Sequence, residues 1–235
     1  MTHSEHFSKQ YDQDLEGLRS RVLQMGGLVE AQIIAAIDAF ASGKQELIDQ
    51  VISGEAGVDE FEVNIDNDCG QVIVRRQPAA SDLRLIMAIS KTVTDLERIG
   101  DEAEKIARLS GQMHGRGRVP LEQFAGVRHA ATAAVAMLRQ ALDAFARLDA
   151  VVAAKVIRED RAIDSEFRAI LRQLITFMME DPRTISTALE VLWVAKAVER
   201  IGDHAKNVAE YVIYIVRGTD VRHTAIEQIE REAIG

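Results

Sequence analysis

The pentapeptide Glu97-Arg-Ile-Gly-Asp101 recurs unchanged as Glu199-Arg-Ile-Gly-Asp203, 102 residues further on. Chance does not readily repeat five residues. A looser pair precedes each copy: Glu55-x-x-x-Asp59 before the first and Asp160-x-x-x-Asp164 before the second, 105 residues apart. The three-residue difference between the offsets is easily absorbed around the turns that Pro78 and Pro182 impose. The chain therefore reads as one unit written twice, and any fold it adopts must be built from two similar halves.

Apolar residues return every three or four positions over long Pro-free stretches, with breakers at intervals of thirty-odd residues, which predicts six helices. The first runs from about Glu5 to Ala41 and stops at Ser42-Gly43, where glycine supplies a left-handed cap. The second carries Val51, Val58, Ile65 and Val72 at seven-residue spacing and ends before Pro78. Ser81 or Asp82 can cap the third, which continues through Ile86, Ile89, Val93, Leu96 and Ala103 to about Ser110. Three glycines and a proline between Gly111 and Pro120 mark the domain boundary. The fourth helix carries Val127, Ala131, Ala134, Leu138, Ala141, Phe145 and Leu148. The fifth runs from near Asp149 and ends before Asp181-Pro182, with Val156, Ile163, Ile170 and Phe177, and the sixth from near Arg183 to Gly218. The expected architecture is all-α, with two similar three-helix bundles at residues 1–112 and 119–220 and a polar tail at 221–235.

Aromatics make up only 5% of the 235 residues, too few for the strand-rich cores of sandwiches and barrels. The net charge of −9 disfavours nucleic acid and anionic membranes as partners. That charge is local: residues up to Gly117 hold 20 acids and 12 bases, and the remainder 17 and 16. A cation or a basic protein face is expected at the first half. Cys69 is the sole cysteine, so no internal disulfide can form, and the cytoplasm is the expected compartment. No run of eighteen apolar residues occurs, so membrane insertion is not expected.

Each motif places two carboxylates at i and i+4, on one helical face, where like charges repel by roughly 0.2–0.5 kcal/mol per pair. On a helical wheel Glu97 and Asp101 lie roughly 80° and 120° from the centre of the apolar stripe, at the border of the core. Gly100 sits near the centre of that stripe, where it admits a neighbouring backbone; Gly202 repeats the choice. Consecutive antiparallel helices can then bring Glu55, Asp59, Glu97 and Asp101 to one place, and Asp160, Asp164, Glu199 and Asp203 to another. Oxygen-only ligand sets suit hard or iron-type cations. The competing reading is a solvated, salt-bridged face, since Arg98 and Lys105 can pair with Asp101, and Lys206 lies one turn from Asp203. Glycines 54 and 57 predict a loosened helix around Glu55. His204 adjoins Asp203, but successive helical positions point about 100° apart. Arg75 and Arg76 are placed to satisfy helix-end carbonyls.

The block from Arg76 to Asp101, the segment Met178-Met-Glu-Asp-Pro-Arg183, and Trp193 to Asp203 resemble the PhoU family of phosphate-transport accessory proteins, from about Phe7 to Gly218. The resemblance implies a cytoplasmic, often dimeric regulator that binds metal through Glu/Asp-x-x-x-Asp motifs. It implies coupling between the ATP-binding subunit of a phosphate ABC transporter and a sensor histidine kinase, with the phosphate-starvation response held off when phosphate is plentiful. Glu97, Asp101, Glu199 and Asp203 match the family motif, and Glu55, Asp59, Asp160 and Asp164 its looser partner. The native metal is left open among Mg, Mn, Fe, Zn and Ni. A di-iron enzyme would carry Glu-x-x-His pairs, and none occurs. A metal store or purely structural bundle without a signalling role is the other alternative.

Overall fold

The computed structural model describes residues 3–115 and 125–234, with the side chains of 3–9 left aside. Seven α-helices make up the described residues: α1 (His3–Ser42), α2 (Gln45–Arg76), α3 (Ala80–Gly115), α4 (Ala125–Arg147), α5 (Ala150–Glu180), α6 (Ile185–Arg217) and α7 (Ile226–Ile234), with a 3₁₀ turn at Pro182–Thr184 before α6. The first three pack together, as do α4, α5 and α6, giving the two three-helix bundles that the repeat requires.

The helices form where the apolar period places them. Leu18, Val22, Met25, Val29, Ile33, Ala36 and Phe40 bury one stripe of α1, and Val127, Ala131, Ala134, Leu138, Ala141 and Phe145 one stripe of α4. A window within Gln10–Ser42 is long and apolar enough to cross a membrane, but more than half of it is buried inside the protein. Its hydrophobicity is that of a core helix. Gly43 ends α1 in the left-handed region, its N–H donating to the Ala39 carbonyl at 2.7 Å, as the sequence predicts. Asp149 caps α5 by accepting from the N–H groups of Val151 and Val152. Ser81 and Asp82 lie within the first turn of α3 and do not cap it; Asp82 instead accepts from the Tyr11 hydroxyl at 3.0 Å. Leu148 falls outside α4, in the left-handed turn to α5.

The expected boundary at Gly111–Pro120 lies partly outside the described residues. Where it is described, α3 continues through it to Gly115, with Met113 buried and His114 Nε2 3.0 Å from the Phe40 carbonyl. The expected polar tail is also different. Residues 226–234 form α7, which lies on α5 and buries Ile226, Ile229 and Ala233. That spacing of three and four is a helical stripe, and Arg158 fixes it from α5 with two hydrogen bonds to Glu230.

The bundles meet chiefly through α3 and α6. Asp95 meets His204, while Glu102 meets Arg200, so numbers rise along α3 as they fall along α6 and the two helices are antiparallel. The two copies of the pentapeptide consequently sit near the middle of the seam. Gly26 of α1 lets α4 approach so closely that a Cβ there would lie 2.6 Å from Leu142 Cδ1.

Candidate functional site: two carboxylate grooves

Gly100 and Gly202 set the geometry of both grooves. A Cβ on Gly100 would stand 3.3 Å from Val58 Cγ1 and 3.4 Å from each carboxylate oxygen of Glu55. A Cβ on Gly202 would stand 3.0 Å from Ile163 Cδ1 and 3.8 Å from Asp160 Oδ1. Glu55 and Asp160, like Val58 and Ile163, are the equivalent positions of the repeat, so α2 rests on α3 in the register in which α5 rests on α6. The glycines admit side chains of the neighbouring helix, and not its backbone as their place in the apolar stripe predicts.

In the α2–α3 groove both oxygens of Glu55 are buried and accept no hydrogen bond, and the same holds for Glu97 Oε2. Burial, then the charges of Asp101, Asp59, Glu104 and Glu97, push the Glu55 carboxyl up to about 7. Burial and Asp101 likewise raise Glu97, against the lowering effect of Arg98. Arg98 is the cation nearest these acids, with Nη1 3.2 Å from Asp101 and Nε 3.4 Å from Glu97. The glycines around Glu55 do not loosen α2, which is unbroken there; Gly54 instead makes room for the Gln32 amide of α1. Lys105 pairs with Glu102 rather than Asp101.

The α5–α6 groove is electrostatically different. Asp160 is only 6% exposed and accepts from Lys206 Nζ at 2.9 Å. Glu199 accepts from Lys196 Nζ at 2.6 Å through Oε1. Asp164 has Arg168 at 3.9 Å. Asp203 is raised by burial, then by Glu199 and Asp160, with Lys206 acting in the opposite sense.

Each group of four predicted residues therefore shares a groove and feels its members' charges. They do not converge on a point: among the described residues no three His, Cys, Asp or Glu side chains stand close enough to enclose an ion. The donors nonetheless fit a hard cation, because Glu55 and Glu97 present buried carboxylate oxygens that no protein donor satisfies. His204 turns to Asp95, with Nδ1 2.6 Å from Oδ1. Arg76 reaches Asp14 of α1 at 2.8 Å.

Two features of this region escaped the sequence reading. One was the reach of Lys206 across to Asp160: Lys206 lies one turn from Asp203 and stands where the first repeat has Glu104, but neither relation points to Asp160. The other was Asp95, an acid adjoining the apolar stripe of α3.

A duplicated helical bundle carrying one acidic groove per half defines an all-α protein whose repeat units are matched in both fold and site. The profile of the PhoU domain matches it twice, at residues 22–110 and 127–212. The phosphate-specific transport system accessory protein PhoU homolog of Pseudomonas aeruginosa is 48% identical over 232 residues, covering 99% of this chain and 95% of that protein. The phosphate-specific transport system accessory protein PhoU of Escherichia coli is 43% identical over 236 residues, covering 99% and 95%. The crystal structure of PhoU from Pseudomonas aeruginosa superposes with a TM-score of 0.86 at 49% identity, over 89% of this chain and all of that one. That of the phosphate transport system regulatory protein PhoU from Streptococcus pneumoniae gives 0.82 at 26% identity, over 90% and 99%. The chain belongs to the PhoU family.

Proposed function

We propose that this protein is a cytoplasmic regulator of phosphate uptake and signalling, and not an enzyme. The observation that carries the reading is end-to-end similarity: 99% of the chain aligns with phosphate-specific transport accessory proteins, and both repeat units match the family's domain. Its partners are the ATP-binding subunit of a phosphate ABC transporter and a sensor histidine kinase, and it acts as a homodimer. Through them it holds the phosphate-starvation response off when phosphate is plentiful.

Metal ions belong to this reading. Glu55, Asp59, Glu97 and Asp101 would hold one site, and Asp160, Asp164, Glu199 and Asp203 the other, each for a divalent or iron-type cation. The unsatisfied oxygens of Glu55 and Glu97 support this.

Deletion of the gene should derepress phosphate-starvation genes in phosphate-rich medium, and restoration of the intact gene should silence them again. Full repression in a clean deletion overturns the regulatory reading. Metal analysis of protein purified without chelators, beside Asp101→Ala and Asp203→Ala, examines the sites: unchanged metal content in both variants removes them. If the variants lose metal yet repress normally, the metal belongs to a store and not to signalling.

A further inference from the structure

The two grooves share a register but not a charge balance. With the repeat offset of 102 on α3 and α6, Glu104 of the first half corresponds to Lys206 of the second, and Thr94 to Lys196. Both replacements put an ammonium group into the second groove. Lys206 reaches across from α6 to Asp160 of α5 at 2.9 Å, and Lys196 bonds Glu199. In the first groove the equivalent of Asp160 is Glu55, whose two oxygens are buried with no donor. Its neighbour Glu104 is occupied by Arg108 at 2.6 Å.

We infer that the second groove carries its own counter-cation: Lys206 stands in for metal on Asp160, so metal loads the α2–α3 groove first and enters the α5–α6 groove only by displacing Lys206. The inference rests on the metal reading above. A cation entering the first groove displaces no protein donor from Glu55. A cation entering the second must break a part-buried ion pair and take Asp160 from its ammonium partner, which weakens binding there. The duplicated sites thus differ in their threshold for metal, and the protein holds one ion or set of ions over a range of metal concentration in which the second groove is closed by its lysine.

The test is Mn²⁺ binding to the full-length, chelator-treated protein, followed by calorimetry and by the loss of the free-ion electron paramagnetic resonance signal. Two classes of site are expected, separated by about tenfold or more in affinity. Glu55→Gln should abolish the tighter class and leave the weaker. Lys206→Gln, which keeps a hydrogen-bond donor for Asp160 but removes the charge, should tighten the weaker class by about tenfold; Lys206→Met is the second variant, and circular dichroism melting verifies that each is folded. Two classes of equal affinity, or a tighter class removed by Asp160→Asn but not by Glu55→Gln, overturns the inference and leaves the metal reading standing. No binding of Mn²⁺, or of Fe²⁺ under anaerobic conditions, by the unaltered protein and by Lys206→Gln overturns both.

Discussion

Asp95 of α3 and His204 of α6 lie 2.6 Å apart, Oδ1 to Nδ1, across the seam between the two bundles. The same carboxylate oxygen accepts from Asn207 at 2.9 Å, and the Tyr211 hydroxyl feels the charge of Asp95. The two hydrogen-bonded residues, 204 and 207, and Tyr211 share one face of α6, while the carboxylate belongs to the other half of the chain. Burial, followed by the charge of Asp95, pushes the Tyr211 hydroxyl well above its ordinary range. Arg200 and Glu102, at 2.9 Å, make a second bond across the seam. Three of these residues adjoin a groove carboxylate in sequence: His204 follows Asp203, Arg200 follows Glu199 and Glu102 follows Asp101. The seam that fixes the bundles against each other therefore runs along the helix faces flanking the grooves.

Replacing Asp95 with alanine leaves His204 and Asn207 without their acceptor in a largely buried site, which costs about 3 kcal/mol. For a chain of this size the melting temperature should fall by roughly 6–12 °C. Asp95→Asn keeps one acceptor oxygen and should recover part of the loss. A melting curve of Asp95→Ala indistinguishable from the parent would show that the seam does not depend on this carboxylate.

The raised Glu55 carboxyl sets a pH dependence for the metal-free protein. Its folded value of about 7 lies above the ordinary 4.5, so the native state binds more protons than the unfolded chain between those values. Stability is lost as pH rises through that window, and the loss is complete above it. Glu55→Gln should therefore stabilise the chelated protein at pH 8 by about 1–2 kcal/mol after allowance for solvent screening, and change little at pH 4. Urea melts at both pH values measure this; equal effects at the two would contradict it.

Glycines in these helices have opposite expected responses to substitution. Gly202→Val drives new carbons into Ile163 and should destabilise by about 1–3 kcal/mol, with loss of the α5–α6 register. Gly27, inside α1, has nothing within 4 Å of a built Cβ. Its replacement by alanine should stabilise by about 0.5–1 kcal/mol. Denaturant midpoints of the two variants should move in opposite directions.

Removal of residues 226–235 strips Ile226, Ile229 and Ala233 from α5, together with the Glu230 bonds to Arg158 and the Ala233 carbonyl that Arg217 holds at 2.7 Å. The apolar area lost outweighs the entropy regained by about 1–3 kcal/mol. Hydrogen exchange should then accelerate along α5 and the end of α6, with α2 and α3 unaffected. Uniform acceleration through both bundles would mean that α7 supports the whole molecule.

Much of this was legible in one dimension. Periodicity alone located six helices, because an apolar stripe such as Leu18, Val22, Met25 and Val29 can be buried on one side only in a helix. The repeat alone placed eight carboxylates in two equivalent sets, since identical local sequence folds in identical register, and Gly100 and Gly202 disclosed where neighbouring helices approach. The stripe Ile226, Ile229 and Ala233 was equally visible, but it was masked by the charged residues around it.

What the chain's order could not reveal is who faces whom between helices. Lys206 was visible one turn from Asp203, yet its partner is Asp160, because a long side chain at the border of a stripe reaches the helix across the groove as easily as its own. Asp95 and His204 are 109 residues apart, and their contact exists only because α3 and α6 pack antiparallel. Sequence determined the helices, their duplication and the acids they carry, through interactions within a few residues. Tertiary packing decided which acids are left without a donor and which are answered by a lysine, since a charge's free energy depends on burial and neighbours that only the assembled bundles supply.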